Sequence, residues 1–177
     1  MLILVNRNFL GEETESFVRE ASARWPSLRV EAYTAPTDKR LAEADAVIGG
    51  LRPEEVKQCA RLRWLQLDSA GADGFMDRAI YARPDAVLTN ASGTFGAPIA
   101  EHVTAMMLLM LRGIHLYRDQ QRTACWERHP ERPRDFMGSA VTVLGFGDLG
   151  SEVAKRCHAL GAHVTAVKMH EIGRAHV

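Results

Sequence analysis

The stretch Ala140-Val141-Thr142-Val143-Leu144-Gly145-Phe146-Gly147-Asp148-Leu149-Gly150 decides how this chain reads. Its first five residues are apolar or β-branched and predict a strand. A G-x-G-x-x-G pattern follows at once. A helix is predicted from Leu149 to about Leu160, and His163-Val164-Thr165-Ala166-Val167 predicts a second strand. Strand, glycine turn, helix and strand in that order are the context that gives the glycine pattern meaning as a dinucleotide phosphate site. Gly145 permits the tight turn, Gly147 lets a pyrophosphate approach the backbone, and Gly150 lets helix and strand pack closely. The helix start then offers free N–H groups and the positive end of its dipole. Gly145, Gly147, Asp148, Leu149 and Gly150 are therefore candidate cofactor-binding residues, for NAD or NADP. The alternative is a tight strand-to-helix turn with no ligand. An acid at the end of the second strand would hold a ribose 2′-hydroxyl. The sequence places Lys168 there, and a cation favours a 2′-phosphate, hence NADP.

Upstream, the pattern alternates strands and helices. Residues 2–5 predict a buried strand, residues 12–24 a helix stopped by Pro26, and 28–32 a strand. A helical turn is expected at 41–44, a strand at 46–48 ending in Gly49-Gly50, and a helix from Pro53 to about Ala60. Residues 64–67 and 87–89 predict two further strands. Such alternation implies βαβ units and a mainly parallel sheet. After the small-residue loop Asn90-Ala91-Ser92-Gly93-Thr94, a long helix is expected from about Pro98 past Tyr117. Met106, Met107 and Met110 on it are expected to pack. Residues 118–134 interleave arginines with Asp119, Glu127 and Glu131, which reads as a solvated face and a loop.

Composition bounds the function classes. The 177 residues are 46% apolar and 25% charged, which excludes a disordered chain. Lys+Arg and Asp+Glu balance at 22 each, so charge offers no reason to expect nucleic acid or an anionic membrane as partner. Cys59, Cys125 and Cys157 lie far apart without a CxxC, which suits a reducing cytosol, and a cytoplasmic location is expected. The N-terminal apolar run ends at Asn6, short of the roughly 7–15 residues of a signal h-region. The stretch 99–116 is interrupted by Glu101, His102 and Arg112, so no membrane span is expected. Residues 171–177 do not continue the strand–helix pattern. They match the in-frame translation of a common sequencing adapter and are set aside as a non-native tail, together with any ligand role for His170 or His176.

With these pieces in place, the chain resembles the D-isomer-specific 2-hydroxyacid dehydrogenases, among them phosphoglycerate, glyoxylate/hydroxypyruvate and D-lactate dehydrogenases. Three local matches carry the resemblance: Leu65-Gln66-Leu67-Asp68-Ser69-Ala70-Gly71-Ala72-Asp73, the stretch from Val87 through Gly93 to Ile99-Ala100-Glu101-His102, and the glycine fingerprint after them. The resemblance implies an α/β protein: a flavodoxin-like parallel-sheet substrate domain, residues 1–96, followed by a linking helix and the first part of a Rossmann NAD(P)-binding domain, residues 97–177, with a cleft between the domains. It implies that backbone N–H groups of Ser69, Ala70 and Gly71 hold a substrate carboxylate, as small residues exposing an anion-binding concavity allow. A tight turn after a strand is the alternative there. It also places Thr94 near the nicotinamide, while Glu101 and His102 match the family's helix start without being its catalytic pair.

The family's proton-transferring His, the Glu that tunes it and the carboxylate-binding Arg lie later in the cofactor domain. No catalytic residue is therefore assigned within this chain, and no metal ligand. The expected function is an oxidoreductase acting on the CH–OH group of small D-2-hydroxy acids with NAD(P), or reducing the 2-oxo acids in reverse. The chain itself is expected to be an inactive, C-terminally truncated fragment of a homodimeric parent. Two other classes stay open: a non-catalytic dinucleotide-sensing regulator of the same fold, and a stand-alone flavodoxin-like binding module at residues 1–95, which leaves the fingerprint unexplained.

Overall fold

The structure, a computed structural model, describes residues 1–128 and 133–169. They divide into two compact units, Met1–Ser92 and Gly93–Val177.

The first unit is built on five parallel strands: β1 (Leu2–Asn6), β2 (Arg29–Tyr33), β3 (Ala46–Ile48), β4 (Trp64–Gln66) and β5 (Val87–Thr89), in the order β2-β1-β3-β4-β5. This is the flavodoxin-like order. Every residue of β1 is buried, as its unbroken apolar run requires of a central strand covered on both faces. The period-2 alternation of a strand sorts them: Leu2 and Leu4 join one cluster with Val47, Leu65 and Val56, while Ile3 and Val5 join another with Val30, Ala46 and Ala21. Each fully buried Leu or Val contributes about 1.5–3 kcal/mol. The second face is covered by α2 (Thr14–Arg24), which a short helix α1 (Arg7–Leu10) and a 3-10 turn precede. Asn6 caps α1 by accepting from the Asn8 N–H at 2.8 Å. At the opposite end of β1, buried Asp45 accepts from the Leu2 N–H at 2.8 Å and holds the strand start.

The helix expected from Pro53 to Ala60 is shorter. The helix α3 (Pro53–Val56) gives way to tight turns in which Cys59 N–H donates to Val56 O at 3.0 Å and Leu62 N–H to Cys59 O at 3.1 Å. Val56, Cys59 and Leu62 are all buried, and a spacing of three residues suits three-residue turns better than a 3.6-residue helix. Burial pushes the Cys59 thiol up to about 11.

The second unit opens with α4 (Gly96–Arg112) and α5 (Ile114–Arg122). The single long helix expected past Tyr117 is instead broken by 70° at Gly113, which sits in the left-handed region at φ 64° and ends α4. Among the described residues no single helix is long and apolar enough to cross a membrane. Of the three methionines, Met107 packs into the core, whereas Met106 and Met110 lie on the exposed face. Downstream, β6 (Ala140–Leu144), α6 (Asp148–Ala159) and β7 (His163–Val167) form a parallel strand–helix–strand unit, with Ala140 opposite His163 and Leu144 opposite Val167. Val153, Ala154 and Cys157 of α6 pack with Ala100 of α4, buried to 0% exposure, and with Val143 of β6. This is the opening of a Rossmann fold. Pro130 and Glu131, together with the tail 171–177 and His170, lie outside the described residues.

Candidate functional site

The glycine turn is shaped by three different constraints. Gly145 stands at φ 94°, a conformation side chains rarely adopt, and its N–H donates to Val167 O at 2.8 Å, tying the turn to the end of β7. Gly147 is extended, at φ −96° and ψ −155°, and no atom outside residues 146–148 lies within 4 Å of where a Cβ would project. Gly150 is the opposite case: it is buried, and a Cβ there would stand 1.9 Å from Gly145 O. One glycine makes the turn, one keeps space open in front of it, and one admits the helix onto the strand.

Beyond Gly147 the helix α6 starts without a side-chain cap. Its first helical bond at this end is Ser151 N–H to Gly147 O at 2.9 Å. The N–H groups of Asp148, Leu149 and Gly150 in the first turn cannot be satisfied by the helix itself. An anion placed against Gly147 meets these donors and the positive end of the α6 dipole. Lys168 is exposed and follows β7 directly, so the bond from Gly145 to Val167 brings it beside the turn.

Thr94 is exposed and lies just before α4. Glu101 pairs with Arg156 of α6 at 3.5 Å, and His102 is exposed one residue on. Lys155 and Arg156 hold the Glu152 carboxyl below its ordinary value. These charges knit α4 to α6 along their outer surface. Among the described residues no group of three or more His, Cys, Asp or Glu side chains could hold a metal ion.

The Ser69-Ala70-Gly71 loop follows β4 and is exposed. All three of its carbonyl groups are engaged: Ala91 N–H donates to Ser69 O at 3.0 Å, Asn90 Nδ2 to Ala70 O at 2.7 Å, and Ser69 Oγ to Gly71 O at 2.8 Å. In a trans peptide the N–H of the next residue points away from the carbonyl. With the Ser69 and Ala70 carbonyls turned toward residues 90–91, the N–H groups of Ala70 and Gly71 are turned the other way. Asn90, to which the sequence alone assigns no role, is thus the brace of this loop. Its signal is an Asn directly after a strand, a common turn-maker whose side chain bonds nearby backbone.

Comparison with known proteins decides the family. Residues 104–176 match the family model for the D-isomer specific 2-hydroxyacid dehydrogenase, NAD binding domain, a match that runs into the tail set aside above. The chain is 34% identical over 156 residues to the D-3-phosphoglycerate dehydrogenase of Archaeoglobus fulgidus, covering 88% of this chain and 26% of that protein. The chain belongs to the D-isomer specific 2-hydroxyacid dehydrogenase family. The glycerate dehydrogenase of Methylorubrum extorquens is 27% identical over 122 residues, 66% of this chain and 38% of that protein. The crystal structure of a family protein from Aeromonas salmonicida superimposes with a TM-score of 0.79 at 28% identity, covering 98% of this chain and 55% of that one. The chain therefore spans little more than half the length of that family member, and less of the two curated relatives. Within the family, β6, the glycine turn, α6 and β7 fall in its NAD-binding domain.

Proposed function

We propose that the whole protein is an NAD(P)-dependent oxidoreductase acting on the CH–OH group of small D-2-hydroxy acids, or reducing the corresponding 2-oxo acids. The observation that carries this is the glycine turn itself: open at Gly147, closed at Gly150 and followed by uncapped first-turn N–H groups, inside a stretch that matches the family's NAD-binding domain. In this reading residues 1–96 form the substrate domain, and residues 97–177 the linking helix and the start of the cofactor domain.

When bound, the nicotinamide supplies the hydride acceptor or donor. The chain's own residues position it. Backbone N–H groups of Asp148, Leu149 and Gly150 hold the pyrophosphate, Gly145 sets the turn and Gly147 leaves room for the phosphates. Lys168 meets a 2′-phosphate, which makes NADP the preferred form, and Thr94 lies on the nicotinamide side. The outward N–H groups of the Ser69-Ala70-Gly71 loop hold the substrate carboxylate. The proton that must reach or leave the substrate oxygen is assigned to residues outside 1–177, because the resemblance places the family's Arg, Glu and His later in the cofactor domain. Residues 1–177 alone are accordingly proposed to bind without turning over. The proposal includes a homodimeric protein in the cytoplasm, consistent with three unpaired cysteines.

The test is a titration with NADH and NADPH, followed by an oxidation screen over glyoxylate, hydroxypyruvate and pyruvate. Saturable binding is expected, with NADPH preferred and the preference removed in Lys168→Glu. Turnover of a 2-oxo acid by the whole protein supports the dehydrogenase. Binding with no turnover of any 2-oxo acid leaves a non-catalytic sensor. No binding of either dinucleotide overturns the assignment.

A further inference from the structure

The first turn of α6 carries an acid where the dinucleotide reading needs room for a pyrophosphate. Asp148 is the first residue of that helix and its side chain is exposed. A carboxylate here stabilises the helix through its dipole, yet it repels any phosphate bound to the same N–H groups. The structure shows where that charge goes. A methyl group built on Gly96 would lie 2.8 Å from Asp148 Oδ2 and 2.9 Å from Oδ1, so both carboxylate oxygens sit against the space that a side chain at Gly96 would take. Gly96 is buried and is the first residue of α4, a helix with no side-chain cap of its own. No cation pairs with Asp148 among the described residues. The positive end of α4 is then a second favourable partner for it, beside that of α6 itself.

We infer that Gly96 and Asp148 form a positioning pair, in which the missing side chain of Gly96 seats the Asp148 carboxylate at the start of α4 and keeps it off the phosphate position at the start of α6. The inference rests on the dinucleotide reading and adds a determinant outside the glycine fingerprint. Gly96 does not occupy the left-handed region, so its backbone accepts alanine without conformational strain. Alanine in the seat displaces the carboxylate from the start of α4 and leaves its charge at the start of α6, beside the space in front of Gly147 that no residue outside 146–148 fills. The expected consequence is a loss of affinity for phosphate-bearing ligands of about tenfold, the scale of one like-charge contact near a protein surface.

The experiment is a double-mutant cycle on the protein, with Gly96→Ala, Asp148→Ser and the combination, read by NADH titration at low and high salt. Gly96→Ala is expected to weaken binding about tenfold with Asp148 present and less than about twofold in the Asp148→Ser background, the loss shrinking as salt rises. Equal losses in both backgrounds, or no loss in the single variant, overturn the pair. Should Gly96→Ala fail to fold, the comparison moves to residue 148. Asp148→Glu, too long for the seat, is expected to bind about tenfold more weakly than the neutral Asp148→Gln, and equal affinities overturn the inference. Failure of the unaltered protein to bind NADH removes the dinucleotide reading and this inference with it. Binding with an additive cycle removes only the inference.

Discussion

Replacing Gly150 by alanine separates packing from ligand binding in the glycine turn. The added Cβ would stand 1.9 Å from Gly145 O, 3.1 Å from the Gly145 carbonyl carbon and 3.2 Å from Val143 Cγ1. Unstrained C···O contacts begin at about 3.3 Å, so helix and turn must part by about 1.4 Å. The nearest clash is with backbone, which cannot rotate away as a side-chain end would. Overpacking of this kind costs about 1–3 kcal/mol, and a backbone obstacle places it near the upper end. Alanine returns at most about 1 kcal/mol through its higher helix propensity. The net loss of about 2 kcal/mol corresponds to a fall in Tm of about 8–16 °C for a unit of this size. Differential scanning calorimetry of Gly150→Ala against the unaltered protein reads it directly. A Tm unchanged or raised, as helix propensity alone would give, refutes the steric account of Gly150.

Gly147→Val probes the opposite property: with no atom outside residues 146–148 within 4 Å of its Cβ position, it should leave stability within about 0.5 kcal/mol of the original while reducing dinucleotide affinity by at least about tenfold. A matched Tm and a matched Kd together would remove Gly147 from the site. Asp45 is held below its ordinary carboxyl value by the Leu2 N–H and by Arg61, so its contribution to stability is present above about pH 4 and lost as pH falls through the lowered value. Asp45→Asn should therefore cost about 1–3 kcal/mol at pH 7 in urea titrations, with the gap to the original protein narrowing in acid. Asn90→Ala frees the Ala70 carbonyl and loosens the 69–71 loop, so on the proposed carboxylate role KM for a 2-oxo acid should rise more than kcat falls in the whole protein, with little change in Tm because the loop is exposed.

Much of the architecture is legible because it is written in local periodicity. The buried run at residues 2–5, the strand ending in Gly49-Gly50 and the strand–turn–helix–strand of residues 140–167 are short-range patterns, and hydrophobic spacing reports them directly. Two helix lengths differ from expectation for the same reason. Spacing extends a helix wherever apolar residues recur, but Gly113 adopts a left-handed conformation in the middle of one such pattern, and the buried trio Val56, Cys59 and Leu62 selects three-residue turns over continued helix.

By itself the sequence determined which residues line the turn: three glycines at fixed offsets, a helix start and a cation after the second strand. Tertiary structure alone decided what each does. The same residue type is a conformational hinge at 145, an open approach at 147 and a packing surface at 150, because its role depends on which atoms the fold brings against the missing side chain. Asn90 bracing Ala70, and Gly96 seating Asp148, are contacts between residues 20 and 52 positions apart (90 less 70, and 148 less 96). No local pattern encodes such pairs. They exist because the chain, having buried its apolar faces, sets distant loops and helix ends side by side.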